Sequence, residues 1–207
     1  MNLRHAILPL ALALSLPAVA DAARGFEVRD MAYMDRHSSP TLSPDGRVLV
    51  FAKRVVDKAT HKSSTSLWTR NLLTRDMRPP SRLTPEGWNV NSPSFSADGK
   101  TVYFMSGKSG SMQLYSLPIA GGEPTRLTDY ALDVDAYKFS PDGTQVALAF
   151  AVFPDCKADL TCTKKKLDDV DALKTTGKVF DRMFIRHWDT WNDGRLNRVF
   201  AAKLGGA

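Results

Sequence analysis

The sequence predicts an all-β protein: a partial β-propeller of about three four-stranded antiparallel blades, the last of them incomplete. The first observation is a phrase ending in Asp-Gly that occurs three times. Its aspartates, Asp45, Asp98 and Asp142, stand 53 and 44 positions apart. The second observation is an alternating apolar run after each copy. Self-similarity at a period of roughly 40–50 residues is typical of propeller blades and other repeat arrays.

Each phrase predicts a strand, a tight turn and a second strand. The glycines of the three turns are Gly46, Gly99 and Gly143. Asp-Gly between two β-prone runs is a strong hairpin signal, because Gly adopts positive φ without steric cost and the Asp side chain bonds backbone groups in the turn. The second strands are predicted at 48–51, 102–104 and 146–150.

The repeats continue downstream with two more short strands. Third strands are predicted at 67–70 and 114–117, and fourth strands at 81–84 and 125–128. Four short antiparallel strands per repeat are typical of a propeller blade. The predicted units are about 36–84, 85–128 and 129–207, the last with an insertion at about 154–178 and further strand character at 179–180 and 198–201. A β-sandwich with accidental Asp-Gly turns is the alternative, although sandwich strands need not repeat in phase.

The N-terminus has the pattern of a secretory signal peptide over residues 1–22. A short basic start is followed by an apolar run at 6–16, too short to span a bilayer, and then by small residues at 18–22. An amphipathic or core helix is the alternative. The pattern predicts that residues 23–207 are exported, periplasmic or secreted, and without a membrane span.

Composition and spacing bear on cofactors and partners. Cys156 and Cys162 are predicted to form a local disulfide rather than two free thiols, because export implies an oxidising compartment. A metal site needs more ligands than these, and no Gly-rich phosphate loop is present, so no metal or cofactor is expected. The net charge of +6 includes a basic run at 164–166 followed by acidic residues, which suggests a solvated loop rather than a nucleic-acid site.

No catalytic residue is predicted, because the Gly-x-Ser-x-Gly nucleophile elbow is absent. The candidates for substrate contact lie in one short segment: Arg186, His187, Trp188, Asp189 and Trp191. If the segment is a strand, Arg186, Trp188 and Thr190 share one face and His187, Asp189 and Trp191 the other. Arg can pair with a carboxylate and Trp can cover a ligand. The alternative is a Trp-rich strand packed between blades, with its Arg and Asp paired to each other.

The signal peptide, the Ser-Pro-Asp-Gly repeats, the insertion with its two cysteines and the Arg-His-Trp-Asp-Thr-Trp string together resemble one family. They are similar to the N-terminal part of exported prolyl oligopeptidase family serine peptidases, in the bacterial dipeptidyl-peptidase and acylaminoacyl-peptidase-like branch. The resemblance implies a propeller that gates the access of short peptides to a C-terminal α/β-hydrolase domain. The catalytic Ser, Asp and His belong to that domain, which is expected to be absent here, so the chain is expected to be inactive alone.

Two other functions are open. The Ser-Pro-Asp-Gly repeats also resemble the propeller of the Tol–Pal envelope system, which implies a non-enzymatic periplasmic scaffold. A stand-alone binding module is the third hypothesis. In an incomplete ring we expect exposed strand edges and apolar faces, and therefore poor solubility.

Overall fold

The computed structural model describes residues 24–73, 79–175, 177, 180 and 186–203. The predicted signal peptide, residues 1–22, lies outside the described residues. Within the described part, the chain forms two four-stranded sheets, one three-stranded sheet and a two-stranded hairpin, all with antiparallel pairing. The predicted all-β class is therefore confirmed.

The first two sheets are simple meanders. Sheet 1 has the order β1-β2-β3-β4 and consists of β1 (Arg36–Leu42), β2 (Val48–Val56), β3 (Ser63–Asn71) and β4 (Ser81–Arg82). Sheet 2 has the order β5-β6-β7-β8 and consists of β5 (Val90–Phe95), β6 (Thr101–Ser106), β7 (Gln113–Pro118) and β8 (Thr125–Arg126). Each has the four short sequential strands expected of a blade.

Sheet 3 obtains its third strand from far along the chain. It has the order β13-β10-β9 and consists of β9 (Ala136–Phe139), β10 (Gln145–Val152) and β13 (Leu196–Lys203). The segment between β10 and β13 contains a 3₁₀ turn, a helix and a hairpin: Pro154–Cys156, α2 (Leu160–Asp171), β11 (Arg186–His187) and β12 (Thr190–Trp191). The strand predicted at 179–180 is not observed at Phe180, and Val179 is outside the described residues.

The insertion is helical where a solvated loop was expected. Asp159 caps α2 by accepting a hydrogen bond from the backbone N–H of Cys162 at 2.9 Å. The basic run then pairs with the acidic residues one turn on, as Lys165 does with Asp169 at 2.7 Å. Such i,i+4 ion pairs stabilise a helix, which explains why a basic run followed by acidic residues is helical here. A short helix, α1 (Val28–Tyr33), was also not predicted.

The predicted disulfide is confirmed. Cys156 and Cys162 are bonded, with their Cα atoms 5.6 Å apart. The bond joins the 3₁₀ turn to the first turn of α2. It therefore holds the start of the helix next to the end of β10.

The three Asp-Gly turns share one hydrogen-bond pattern. In each, a Ser hydroxyl donates to the Asp carboxylate two residues on and accepts from a backbone N–H five residues on. The glycines have φ between +69° and +70°. The Ser hydroxyl, aided by a backbone N–H, lowers the pKa of each carboxyl; these groups are Asp45, Asp98 and Asp142. Each Ser-x-Asp-Gly turn is therefore stabilised by hydrogen bonds between residues of the turn itself.

The sheets stack in series through two apolar cores. Sheets 1 and 2 meet through Val50 and Ala52 on one side and Phe104 and Tyr115 on the other. Sheets 2 and 3 meet through a second cluster: Met105, Leu114, Val146, Leu148, Phe150 and Val152. A sandwich would bury one core between two sheets, whereas here the middle sheet is covered on both faces. Successive stacking of this kind is the arrangement of neighbouring propeller blades.

One side chain links sheets 2 and 3 by hydrogen bonds. The Tyr137 hydroxyl lies 2.6 Å from the Ser92 carbonyl oxygen, 3.0 Å from the Tyr103 carbonyl oxygen and 2.9 Å from the Ser94 hydroxyl. Burial raises the pKa of Tyr137 to about 12. Because Tyr137 lies on β9 and its partners on β5 and β6, the hydroxyl connects two blades.

Candidate functional site

The candidate segment forms a tight hairpin rather than a continuous strand. Arg186 pairs with Trp191 and His187 with Thr190, and Trp188 forms part of the turn. Directly paired residues in an antiparallel sheet share a face. Arg186 and Trp191 therefore lie on the same face, and the expectation that they lie on opposite faces was wrong. The reason is the turn, which reverses the chain in the middle of the segment.

Arg186 and two aromatic rings form a stack. The Arg186 guanidinium carbon lies 5.0 Å from the centroid of the Trp191 ring, a cation–π distance. The Arg186 Nε–H donates to the Trp188 carbonyl oxygen at 2.9 Å. The Trp191 ring also stacks with Phe180, with centroids 5.7 Å apart and an interplanar angle of 24°. We call Arg186, Trp191 and Phe180 the Arg–Trp stack.

Trp188 combines backbone strain with exposure. Its φ is +56°, in the left-handed region that two-residue hairpin turns usually reserve for Gly, Asn or Asp. Its side chain is 89% exposed. A strained φ costs of order 1–3 kcal/mol, and an exposed indole offsets little of that cost by burial. Trp188 is therefore not packed between blades, as the structural alternative required.

The remaining candidates lie on the same hairpin. His187 and Asp189 are exposed, and Asp189 accepts a hydrogen bond from the Thr190 hydroxyl at 3.2 Å. All five sequence-predicted residues are thus brought together at one solvent-facing hairpin. Phe180 was not among them, because its role depends on a ring contact made across several intervening residues.

A groove lies between sheets 2 and 3. It has a volume of about 820 Å³ and is lined mainly by residues of two Asp-Gly turns and the strands before them. The carboxylates of Asp98 and Asp142 there are already engaged by their own Ser hydroxyls. In the described part of the chain, no group of three or more His, Cys, Asp or Glu side chains is placed to hold a metal ion.

Comparison with known proteins defines the class of this propeller. The family model for the dipeptidyl peptidase IV (DPP IV) N-terminal region matches residues 67–153. Dipeptidyl-peptidase 5 of Porphyromonas gingivalis is 34% identical over 158 residues, which is 76% of this chain and 22% of that protein. The Tol-Pal system protein TolB of Francisella tularensis subsp. mediasiatica is 42% identical over 62 residues, 30% of this chain and 14% of that protein.

A solved structure shares the fold over most of the chain. The acylaminoacyl peptidase of Pyrococcus horikoshii superposes with a TM-score of 0.57 at 10% identity, covering 83% of this chain and 23% of that one. The superposition shows the β-propeller fold. In sequence, the chain is similar to the N-terminal propeller region of prolyl oligopeptidase family (S9) serine peptidases. It spans about a fifth of the length of the dipeptidyl-peptidase 5 relatives that it matches. None of the helices in the described residues has the length and apolar character needed to cross a membrane.

Proposed function

We propose that this chain is the substrate-gating propeller portion of an exported serine peptidase that acts on short peptides, and that the hairpin at 186–191 contacts those peptides. Export is supported by the signal-peptide pattern at residues 1–22. The peptidase role is supported by the similarity to dipeptidyl-peptidase 5. The nucleophile would lie outside these residues, since the sequence has no Gly-x-Ser-x-Gly elbow.

The observation that carries the contact site is Trp188. A large apolar side chain is held in solvent on a strained turn, next to a cation stacked on a second indole. Strained backbone conformations cluster at active sites and ligand-binding segments. An exposed aromatic ring offers a large rigid surface that can cover an extended peptide.

The guanidinium group of Arg186 can bind a carboxylate. Its planar guanidinium can donate two parallel hydrogen bonds to a carboxylate, and such pairs are stronger than neutral ones. Stacking on Trp191 restrains the guanidinium plane before binding, which reduces the entropy lost when a ligand is bound. The proposed ligand group is therefore a peptide carboxylate, either the C-terminus or an acidic side chain.

A binding titration with the full chain tests this function. The probes are a tetrapeptide without acidic side chains, with a free or an amidated C-terminus, and a matched peptide with one Asp. The readout is the heat of binding measured by isothermal titration calorimetry, which does not depend on the tryptophans. We expect Trp188→Ala and Arg186→Lys each to weaken binding of the free acid by about tenfold or more. The first variant lacks the exposed ring that would cover the peptide. The second replaces a planar guanidinium, which stacks on Trp191 and can donate two parallel hydrogen bonds, by an ammonium group that can do neither. Val170→Ala, an exposed change on α2, is the matched control and should bind like the original chain.

The outcomes separate the hypotheses. Equal binding of the free acid, the amide and the Asp peptide would exclude the carboxylate contact. Unchanged binding by both hairpin variants would exclude the hairpin. The Tol–Pal-like scaffold is supported by similarity over a smaller share of the chain. It predicts that short peptides do not bind at all, whereas a folded envelope protein does.

A further inference from the structure

Phe180 is the member of the Arg–Trp stack that lies outside the hairpin. It is partly buried and stands between the end of α2 at Asp171 and the start of β11 at Arg186. Its ring stacks on Trp191, with centroids 5.7 Å apart and an interplanar angle of 24°. Phe180 therefore contacts the hairpin through the ring of Trp191, and it is not one of the residues that we assign to direct peptide contact.

The guanidinium of Arg186 is restrained in two ways. Its Nε–H donates to the Trp188 carbonyl oxygen at 2.9 Å, and its Cζ lies 5.0 Å from the centroid of the Trp191 ring. Because Nε is occupied, the donors that remain for a ligand are on the two terminal nitrogens. These two nitrogens form an end-on fork that matches the two oxygens of a carboxylate. The hydrogen bond fixes one end of the guanidinium, and the Trp191 ring restrains its plane.

The Trp191 ring can restrain that plane only if the ring itself is held in place. Trp191 is 45% exposed, and the terminal torsion of a Trp side chain has a broad range of allowed angles. The described ring contacts of Trp191 are with the Arg186 guanidinium and with Phe180. Stacked aromatic rings attract each other beyond the apolar area that they bury. Loss of the Phe180 ring would therefore release both Trp191 and the guanidinium plane.

We propose that Phe180 is a positioning residue that determines the specificity of the hairpin for a carboxylate. It acts through Trp191, which it holds in the orientation that aligns the terminal nitrogens of Arg186. This inference rests on the proposed function, because it requires that Arg186 binds a peptide carboxylate. It adds that the preference for this group depends on a residue outside the hairpin, in the segment that joins α2 to β11.

Phe180 and Trp188 should contribute to different parts of the affinity. An aligned guanidinium strengthens the binding of a carboxylate, whereas an amidated C-terminus has no anionic group for it to pair with. The Trp188 ring would cover a peptide in either case, because an apolar contact does not depend on that group. Removal of the Phe180 ring should therefore lower the preference for the free acid over the amide, and removal of the Trp188 ring should weaken the binding of both.

Calorimetric titration of the full chain with the free-acid and amidated tetrapeptides measures this preference. We expect Phe180→Ala to reduce it by about threefold to tenfold, the factor that corresponds to the loss of one aromatic pair, while the affinity for the amide stays nearly the same. Phe180→Tyr keeps the ring and should keep the preference. Phe180→Leu keeps apolar volume without a ring and should behave like Phe180→Ala. Phe26→Ala, an exposed change in the N-terminal segment, is the matched control and should bind like the original chain.

Nuclear magnetic resonance spectroscopy without peptide tests the positioning role separately. The side-chain Nε–H signal of Arg186 depends on where the Trp191 ring lies, because an aromatic ring shields the protons near its face; the signal is identified by its disappearance in Arg186→Lys. We expect it to shift in Phe180→Ala and in Phe180→Leu, where the ring is released. It should stay in place in Phe180→Tyr and in Phe26→Ala. Circular dichroism checks that every variant keeps its β-sheet content.

The two measurements distinguish failure of this proposal from failure of the proposed function. If the original chain prefers the free acid and Phe180→Ala prefers it equally, the positioning role is overturned and the peptide site stands. An Arg186 signal that is the same in all Phe180 variants would also overturn the positioning role, even if the preference changed. If the original chain binds the acid and the amide equally, the carboxylate contact of the proposed function fails, and the specificity role of Phe180 fails with it.

Discussion

Replacement of Tyr137 by phenylalanine removes only the hydroxyl that joins sheets 2 and 3. That hydroxyl donates to a carbonyl oxygen, Ser92 at 2.6 Å or Tyr103 at 3.0 Å, and contacts the Ser94 hydroxyl at 2.9 Å. Leaving a buried acceptor without its partner costs about 1–3 kcal/mol. We therefore expect Tyr137→Phe to lower the free energy of unfolding by this amount at neutral pH.

The same group predicts a pH dependence. Burial raises the pKa of Tyr137 from about 10 to about 12, so the folded state holds the phenolic proton more tightly than the unfolded state. Its contribution is fully present below pH 10 and is lost as the pH rises through about 12. Two pKa units correspond to about 3 kcal/mol in total, of which about 1.4 kcal/mol is lost by pH 11. The Phe variant has no proton to lose at this position.

The assay is urea denaturation of the full chain and of Tyr137→Phe at pH 7 and pH 11. The difference in unfolding free energy between the two should be largest at pH 7 and should narrow at pH 11. Tyr130→Phe is the matched control, because the Tyr130 ring packs on Phe150 in the same core; it should change stability by less than about 0.5 kcal/mol. Equal stability at pH 7, or a difference that is unchanged at pH 11, would refute the reasoning.

Two further predictions concern the turns and the insertion. Gly99→Ala and Gly143→Ala both place a Cβ at φ near +70° and should each cost about 1–2 kcal/mol by thermal or urea denaturation. Gly99→Ala should cost more, because its Cβ would lie 3.2 Å from Pro44 Cδ, whereas no atom lies within 4 Å at Gly143; equal losses would contradict this. Replacing Cys156 and Cys162 by Ser should lower stability by about 2 kcal/mol, the loop entropy of so short a ring, and an unchanged melting temperature would count against a structural role for the bond.

Much of the fold was predictable because its signals are local. An Asp-Gly turn depends on the φ of one Gly and on hydrogen bonds within five residues, as at Ser96 and Asp98. The disulfide was predictable for a similar reason, since its two cysteines are only six positions apart. The helix α2 is not predicted by its charge run alone, because a basic run followed by acidic residues is compatible both with a solvated loop and with i,i+4 ion pairs on a helix.

Substrate contact by the residues at 186–191 stays a prediction, and the geometry of the segment could not be predicted from the sequence. The residue types at 186–191 indicated ligand contact, yet a turn at Trp188 reversed the predicted faces. Trp is rare at positive φ, so local propensity argues against the turn that the chain adopts. Nothing in the spacing indicated that Phe180 would stack on Trp191.

By itself the sequence determined the repeat unit, its turns and the alternation of apolar residues along each strand, because these depend on neighbours within a few residues. Only the tertiary structure decided which face of each sheet packs against the next sheet, and that the Tyr137 hydroxyl links sheets 2 and 3. Those features arise from contacts between residues distant in the chain, and their free energy depends on shape and burial that no local pattern contains.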